Sequence, residues 1–352
     1  MEWVCRAAAI RGALDGDLRP PLRLFVNAEP STLAARIPPH HRDVMASAAA
    51  LDVVVELTER ALTDRPADVL GAVPHLRSLG VTIALDDIGA DRRSLALMPF
   101  LAPEVIKLDL RLVQSRPTAE IAAIVHAVNA QAERTGAVIV AEGIENERQH
   151  EVARALGACW AQGWHYGRPD ALPGVIPITA SVAPSPPLTA PRRADGAPTP
   201  FGVVAERQTP RRGPKGLLLA MSHHLEEQAM AHAHGAAVVL ATFQEARHFT
   251  PATRARYERL ASSAAFVGAL GVDLSAEPAP GVRGTALSHG ERLRGEWNVI
   301  VLDPHFAAAF VAHDLGDDGP DFERRFDFCL TYDRDLVIEA ARALMARVAP
   351  AL

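Results

Sequence analysis

The chain has 352 residues, 49% of them hydrophobic, enough for two or three packed domains and too apolar for a mainly disordered protein. With 42 acidic against 36 basic residues the net charge is −6, which argues against a general nucleic-acid binder. Three scattered cysteines, Cys5, Cys159 and Cys329, fit neither a disulfide framework nor a Cys-based zinc site, and no apolar run approaches the ~20 residues that span a bilayer, so a cytoplasmic protein with no membrane partner is expected.

In chain order, Trp3, Ala7, Ile10 and Leu14 give the apolar spacing of a first helix. Short β-branched runs follow at 22–26, 53–55, 81–85, 105–108 and 137–141, brief and continuous as buried parallel strands are. Between the last two, Ile121, Ile124, Val125 and Val128 predict a helix that Gly136 stops. A sixth unit is expected around 158–162, after a helix starting near Glu147. Strand and helix alternating in this way predict a parallel α/β sheet or barrel. Proline then takes over: 11 of the 27 prolines lie between Pro169 and Pro214, which predicts a semi-rigid linker over 173–215. Beyond it, strands are expected at 236–240 and 297–302. Helices are expected at 251–261, with Thr250 as N-cap, and at 336–348.

The six strands of the first part end on Asn27, Glu56, Asp86 with Asp87, Lys107, Glu142 and Gln162. Their spacings, 29, 30, 21, 35 and 20 residues, lie near the ~31 residues per strand-helix unit of an eightfold barrel, whose chemistry sits on that face. A lone Asp-Asp pair before glycine reads as a cap or turn; six polar strand ends in succession read as a site. Thirty-four of the 36 basic residues are arginine, so a lysine inside an apolar strand, Lys107, points to a need for a compact ammonium. Four carboxylates beside one lysine call for hard divalent cations and an anionic substrate. The set suits phosphodiester hydrolysis, in which metal ions activate water and the lysine offsets phosphoryl charge.

Phe25-Val-Asn27, Glu56-Leu-Thr-Glu59, Leu79 to Asp87, Ile106-Lys-Leu-Asp109, Val140-Ala-Glu-Gly-Ile-Glu145 and Ala161-Gln-Gly163 resemble the successive motifs of the EAL domain. The resemblance implies a modified TIM barrel that hydrolyses cyclic di-GMP to linear pGpG, as a homodimer, with two Mg2+ or Mn2+ ions. It implies metal ligation by Asn27, Glu56, Asp86, Asp87 and Glu145. For Lys107, Glu142 and Gln162 it implies roles around the attacking water, and for Glu59 a hold on the loop after the Asp pair. Two departures stand out. No Glu-Ala-Leu tripeptide occurs, so the first two strands of the family are expected to precede Met1, and one metal site to lack a carboxylate. The family loop Asp-Asp-Phe-Gly-Thr-Gly-Tyr-Ser-Ser-Leu reads Asp86-Asp-Ile-Gly-Ala-Asp-Arg-Arg-Ser-Leu95 here, which bears on regulation and turnover.

In the second part, His223, His224, His232 and His234 lack the spacing of zinc ligands and read as a solvated helix face. Residues 242–251, 253–257, 266–268 and 331–337 resemble the DICT domain, which implies a sensor of a small-molecule or protein signal. Phe243, Gln244, Phe249 and Tyr257 are expected either as core or as the wall of a pocket. The fold expected overall is α/β: an incomplete (β/α)8 TIM-like barrel of EAL type over 1–172, the linker 173–215, and a DICT-like α/β sensor domain over 216–350. The alternative to a phosphodiesterase is an inactive EAL-like receptor or protein-interaction regulator.

Overall fold

The computed structural model describes residues 2–33, 35–58, 63–90, 94–116, 118–170, 199–232, 236–318 and 320–350. Two compact units emerge, each with its own sheet. In the first, all six expected strands form: β1 (Arg23–Asn27), β2 (Asp52–Thr58), β3 (Thr82–Ile88), β4 (Val105–Leu108), β5 (Val138–Ala141) and β6 (Trp160–Ala161). They pair in parallel and in sequential order. This is the α/β architecture of an incomplete (β/α)8 barrel. The expected helices are present as well. The first spans Glu2–Asp15 and buries Ala7, Ile10 and Ala13. The helix Ala119–Thr135 opens on the Thr118 side chain, which accepts from the Ile121 N–H, and closes on Gly136 at φ 72°.

One layer of side chains organises the sheet. Val54, Ala84, Val105 and Val140 form a buried cluster against which Phe25 and Trp160 pack, one residue from each strand. Side chains two apart on a strand share a face. Two residues on from these six stand Asn27, Glu56, Asp86, Lys107, Glu142 and Gln162. The apolar layer therefore lies directly beneath the polar strand ends, as successive layers do inside a barrel. The two edge strands are not paired to one another, among the described residues, but side chains bridge them. Phe25 of β1 and Trp160 of β6 meet edge to face at 6.4 Å, and the Arg23 guanidinium stacks 5.0 Å from the Trp160 ring. An aromatic contact thus links the two edge strands.

The second unit is a seven-stranded mixed sheet in the order β10-β9-β8-β11-β12-β13-β7. Its strands are β7 (Arg211–Pro214), β8 (Val238–Glu245), β9 (Phe266–Val272), β10 (Arg283–Leu287), β11 (Glu296–Leu302), β12 (Ala307–Asp314) and β13 (Arg325–Thr331). Tyr257, Phe310 and Phe326 are among the largest side chains in its core. The expected helices appear as Pro251–Ser263, with Thr250 as N-cap, and Arg334–Met345.

The expected linker 173–215 needs correction at its end; its first part, to residue 198, falls outside the described residues. Pro200–Ala205 is a helix and Arg211–Pro214 is strand β7, paired antiparallel with β13. The prolines mislead here because each sits where it is harmless. Pro200 occupies the first helical turn after the Thr199 cap, where its missing N–H has no partner to lose. Pro214 ends an edge strand. Arg212 ion-pairs with Asp327 at 2.8 Å, and Arg211 lies 4.9 Å from the Phe328 ring, fixing β7 to the sheet. All three cysteines are free, and no described helix is long and apolar enough to cross a membrane.

Candidate metal centre

Lys107 is the hub of the polar layer. Its ammonium lies 2.5 Å from Glu56, 2.8 Å from Asp86 and 2.7 Å from Glu142, with only 5% of its side chain exposed. Burial by itself would lower the lysine pKa, but the hydrogen bonds it donates to Asp86, Glu142 and Glu56 outweigh it and hold the ammonium above its ordinary range. Glu56 and Glu142 are raised as well, for a different reason: burial raises both carboxyls, and the ion pair with Lys107 only partly offsets it.

Asp87 reaches the same mouth by a local irregularity. Consecutive strand residues normally face opposite sides of a sheet. Between Leu85 and Ile88 the β3–β4 register shifts, and Asp87 adopts φ 56°, a left-handed conformation uncommon outside glycine. The bulge brings the Asp86 and Asp87 carboxylates together with Glu142, one oxygen of each lying within 4.8 Å of the others. Burial first, then the neighbouring charges of Asp86 and Asp109, raises the Asp87 carboxyl. Four carboxylates, Glu56, Asp86, Asp87 and Glu142, against one ammonium leave a local excess of negative charge. An all-oxygen donor set with that charge fits a hard divalent cation.

The other expected site residues are placed differently. Asn27, at the end of β1, is the register partner of Glu56 and has an exposed side chain. Its backbone carbonyl accepts from Arg6 Nε at 3.2 Å. Glu145 and Gln162 lie outside the carboxylate group and line a neighbouring cavity of about 620 Å3. Glu59 and the altered loop residues Asp91, Arg92 and Arg93 fall outside the described residues. That cavity also holds residues that strand-end reading missed. Trp164 and Tyr166 are exposed large aromatics, with Arg168 stacked 4.6 Å over Trp164 and Tyr166 O–H 2.5 Å from His150 Nδ1. The signal was legible as aromatic residues inside a glycine-bounded loop, 163–167, just after a strand end.

Gly163 fixes that loop. It sits at φ 155°, and a Cβ there would collide with the backbone of Ile144, whose N–H is bonded to the Gln162 carbonyl at 3.1 Å. Gly163→Ala is expected to displace the Gln162 loop and cost about 1–3 kcal/mol of stability. Urea denaturation of the variant beside the parent checks this; an unchanged midpoint contradicts it.

Comparison with known proteins bears on both units. Residues 2–169 match the EAL domain family, and residues 203–315 match DICT, the sensory domain in diguanylate cyclases and two-component system. The cyclic di-GMP phosphodiesterase RocR of Pseudomonas aeruginosa is 33% identical over 153 residues, 42% of this chain and 39% of that protein. An Azorhizobium caulinodans protein is 34% identical over 133 residues, 36% of this chain and 18% of its own length. The chain thus spans well under half of these curated relatives. Among solved structures, a manganese and cyclic di-GMP complex of Klebsiella pneumoniae BlrP1 aligns at TM-score 0.42 and 26% identity, over 48% of this chain and 44% of that one.

Proposed function

From an EAL domain at residues 2–169 followed by a DICT domain at residues 203–315, we propose that the chain is a cyclic di-GMP signalling protein. Its barrel hydrolyses cyclic di-GMP to pGpG with Mg2+ or Mn2+, under control of the sensory domain. The observation that carries this reading is the polar layer itself: Glu56, Asp86 and Glu142 converge on Lys107, and a bulge adds Asp87 to the same mouth. RocR, which matches the barrel segment, supports the reaction class.

In this proposal Asp86, Asp87 and Glu56 hold the cation, with Asn27 as a neutral oxygen donor beside Glu56. When bound, the ion supplies Lewis-acid charge and a nucleophilic water at neutral pH. Lys107 offsets negative charge developing on the phosphoryl oxygens, and its fixed position means no reorganisation at the moment of reaction. Glu142, whose carboxyl is already pushed up by burial, accepts the proton of the attacking water. Gln162 orients that water, and Glu145 contributes charge from the adjoining cavity. Trp164 and Tyr166 offer flat faces on which a base can stack.

Asp86→Asn and Asp87→Asn test the assignment. Each is expected to lower manganese-dependent production of pGpG at least about 100-fold, since each removes a charged oxygen from the cation site while keeping side-chain volume. Turnover within twofold of the parent in either variant contradicts the ligand set. Binding of cyclic di-GMP by the parent without any turnover leaves a receptor in place of an enzyme.

A further inference from the structure

The second unit contains a cavity of about 350 Å3, at the lower end of the roughly 300–1,000 Å3 typical of small-molecule sites. It is enclosed by the helix Lys215–His232, strand β8, the start of the helix Pro251–Ser263, Trp297 of β11, Phe326 of β13 and the turn Asp321–Glu323. We propose that this cavity binds a small planar aromatic acid, the signal read by the DICT domain. The inference does not depend on turnover by the barrel.

Three observations carry it. First, four aromatic side chains face the cavity: Phe243, Trp297, Phe322 and Phe326. Phe326 is core, but the other three are not simply core. Tyr257 and Phe310 next to them are fully buried, whereas Phe243 and Trp297 are half-buried and Phe322 is 67% exposed at the rim. Phe243 is held edge to face by Phe249 at 4.9 Å and Tyr257 at 5.2 Å, and Trp297 by Phe326 at 5.9 Å, so rigid rings line the space.

Second, basic side chains outnumber acidic ones in the lining. Lys215, Arg247 and Arg256 line it against Glu226 and Asp321. Glu226 is neutralised by Arg256 and accepts the Tyr257 hydroxyl at 2.8 Å; Asp321 is neutralised by Lys215 at 2.7 Å. Arg247 has no carboxylate within the cavity. Its partner is Glu245, outside the lining and shared with Arg294. A carboxylate entering among the rings would meet Arg247 without displacing a buried ion pair.

Third, the backbone is strained at this wall. The β8–β9 register shifts between Thr242 and Glu245, and Gln244 adopts φ 56°, tied by its amide to Asp314 at 3.1 Å. A left-handed non-glycine residue in a bulge costs free energy that regular pairing would avoid, and such outliers gather at binding sites. Here the bulge re-aims strand side chains at the cavity.

Isothermal titration of the full chain with 2-naphthoate and with its neutral analogue 2-naphthamide tests the proposal. The expected result is saturable one-to-one binding of 2-naphthoate, at least tenfold tighter than the amide. Arg247→Gln, a change at a largely exposed side chain that leaves the fold intact, is expected to reduce 2-naphthoate to the affinity of the amide. Phe243→Ala is expected to weaken both ligands tenfold or more. No saturable binding of 2-naphthoate up to its solubility limit overturns the proposal. So does equal affinity for acid and amide, or an affinity for the acid that Arg247→Gln leaves unchanged.

Discussion

Lys107→Ala is expected to abolish turnover of cyclic di-GMP and, in the presence of chelator, to destabilise the barrel unit by about 3–5 kcal/mol, the cost of stranding buried charge. The truncation leaves Glu56, Asp86 and Glu142 facing one another with their shared cation gone. Glu56 and Glu142 are already raised by burial, and loss of the ammonium removes the influence that lowers them. The sign of the pH dependence follows. A carboxyl raised in the folded state destabilises it once ionised, so the deficit grows as pH rises above the unfolded carboxyl value, roughly 4.3 for glutamate, and shrinks below it. Millimolar Mn2+ is expected to recover part of the stability by supplying positive charge, but not the activity. Urea unfolding with chelator and with Mn2+, beside a product assay, separates the two roles. A variant as stable as the parent in chelator at neutral pH, or one that still turns over, contradicts the assignment.

Glu226→Ala is expected to cost the second unit about 3–5 kcal/mol, because it orphans a fully buried hydroxyl and a partly buried guanidinium together. Arg256 loses its ion-pair partner, and the fully buried Tyr257 hydroxyl loses its acceptor. Burial first, and then the negative charge of Glu226, keeps the Tyr257 phenol well above its ordinary pKa, so it stays a neutral donor at any physiological pH. Glu226→Gln retains an acceptor for the phenol and is expected to cost less. Amide exchange in the helices Lys215–His232 and Pro251–Ser263 reports the loss where it occurs. A drop under about 1 kcal/mol for the alanine variant would mean that this triad is a minor part of the core.

Much of the barrel was legible because its strands are buried on both faces and read as apolar runs ending on polar residues. The strand ends then picked out Asn27, Glu56, Asp86, Lys107, Glu142 and Gln162, while the apolar layer two residues before them emerges only in the structure. Two devices were not legible. The bulge at Asp86–Asp87 and its counterpart at Phe243–Gln244 each put a non-glycine residue into the left-handed region, and neither sequence contains the glycine that ordinarily announces it. Composition misled at 199–214, where proline marks a helix start and an edge strand instead of continued linker. In the second unit β12 read poorly because Ala307-Ala-Ala-Phe310 is as favourable for a helix as for a strand; only its pairing with β11 and β13 decides.

Whether the lysine-centred carboxylate layer performs metal-dependent phosphodiester hydrolysis is decided by incubating the full chain with cyclic di-GMP and Mn2+ and following products by chromatography. The account predicts pGpG, formed with Mn2+ and suppressed by chelator. Quantitative recovery of intact cyclic di-GMP under conditions in which the folded chain binds it would contradict that account.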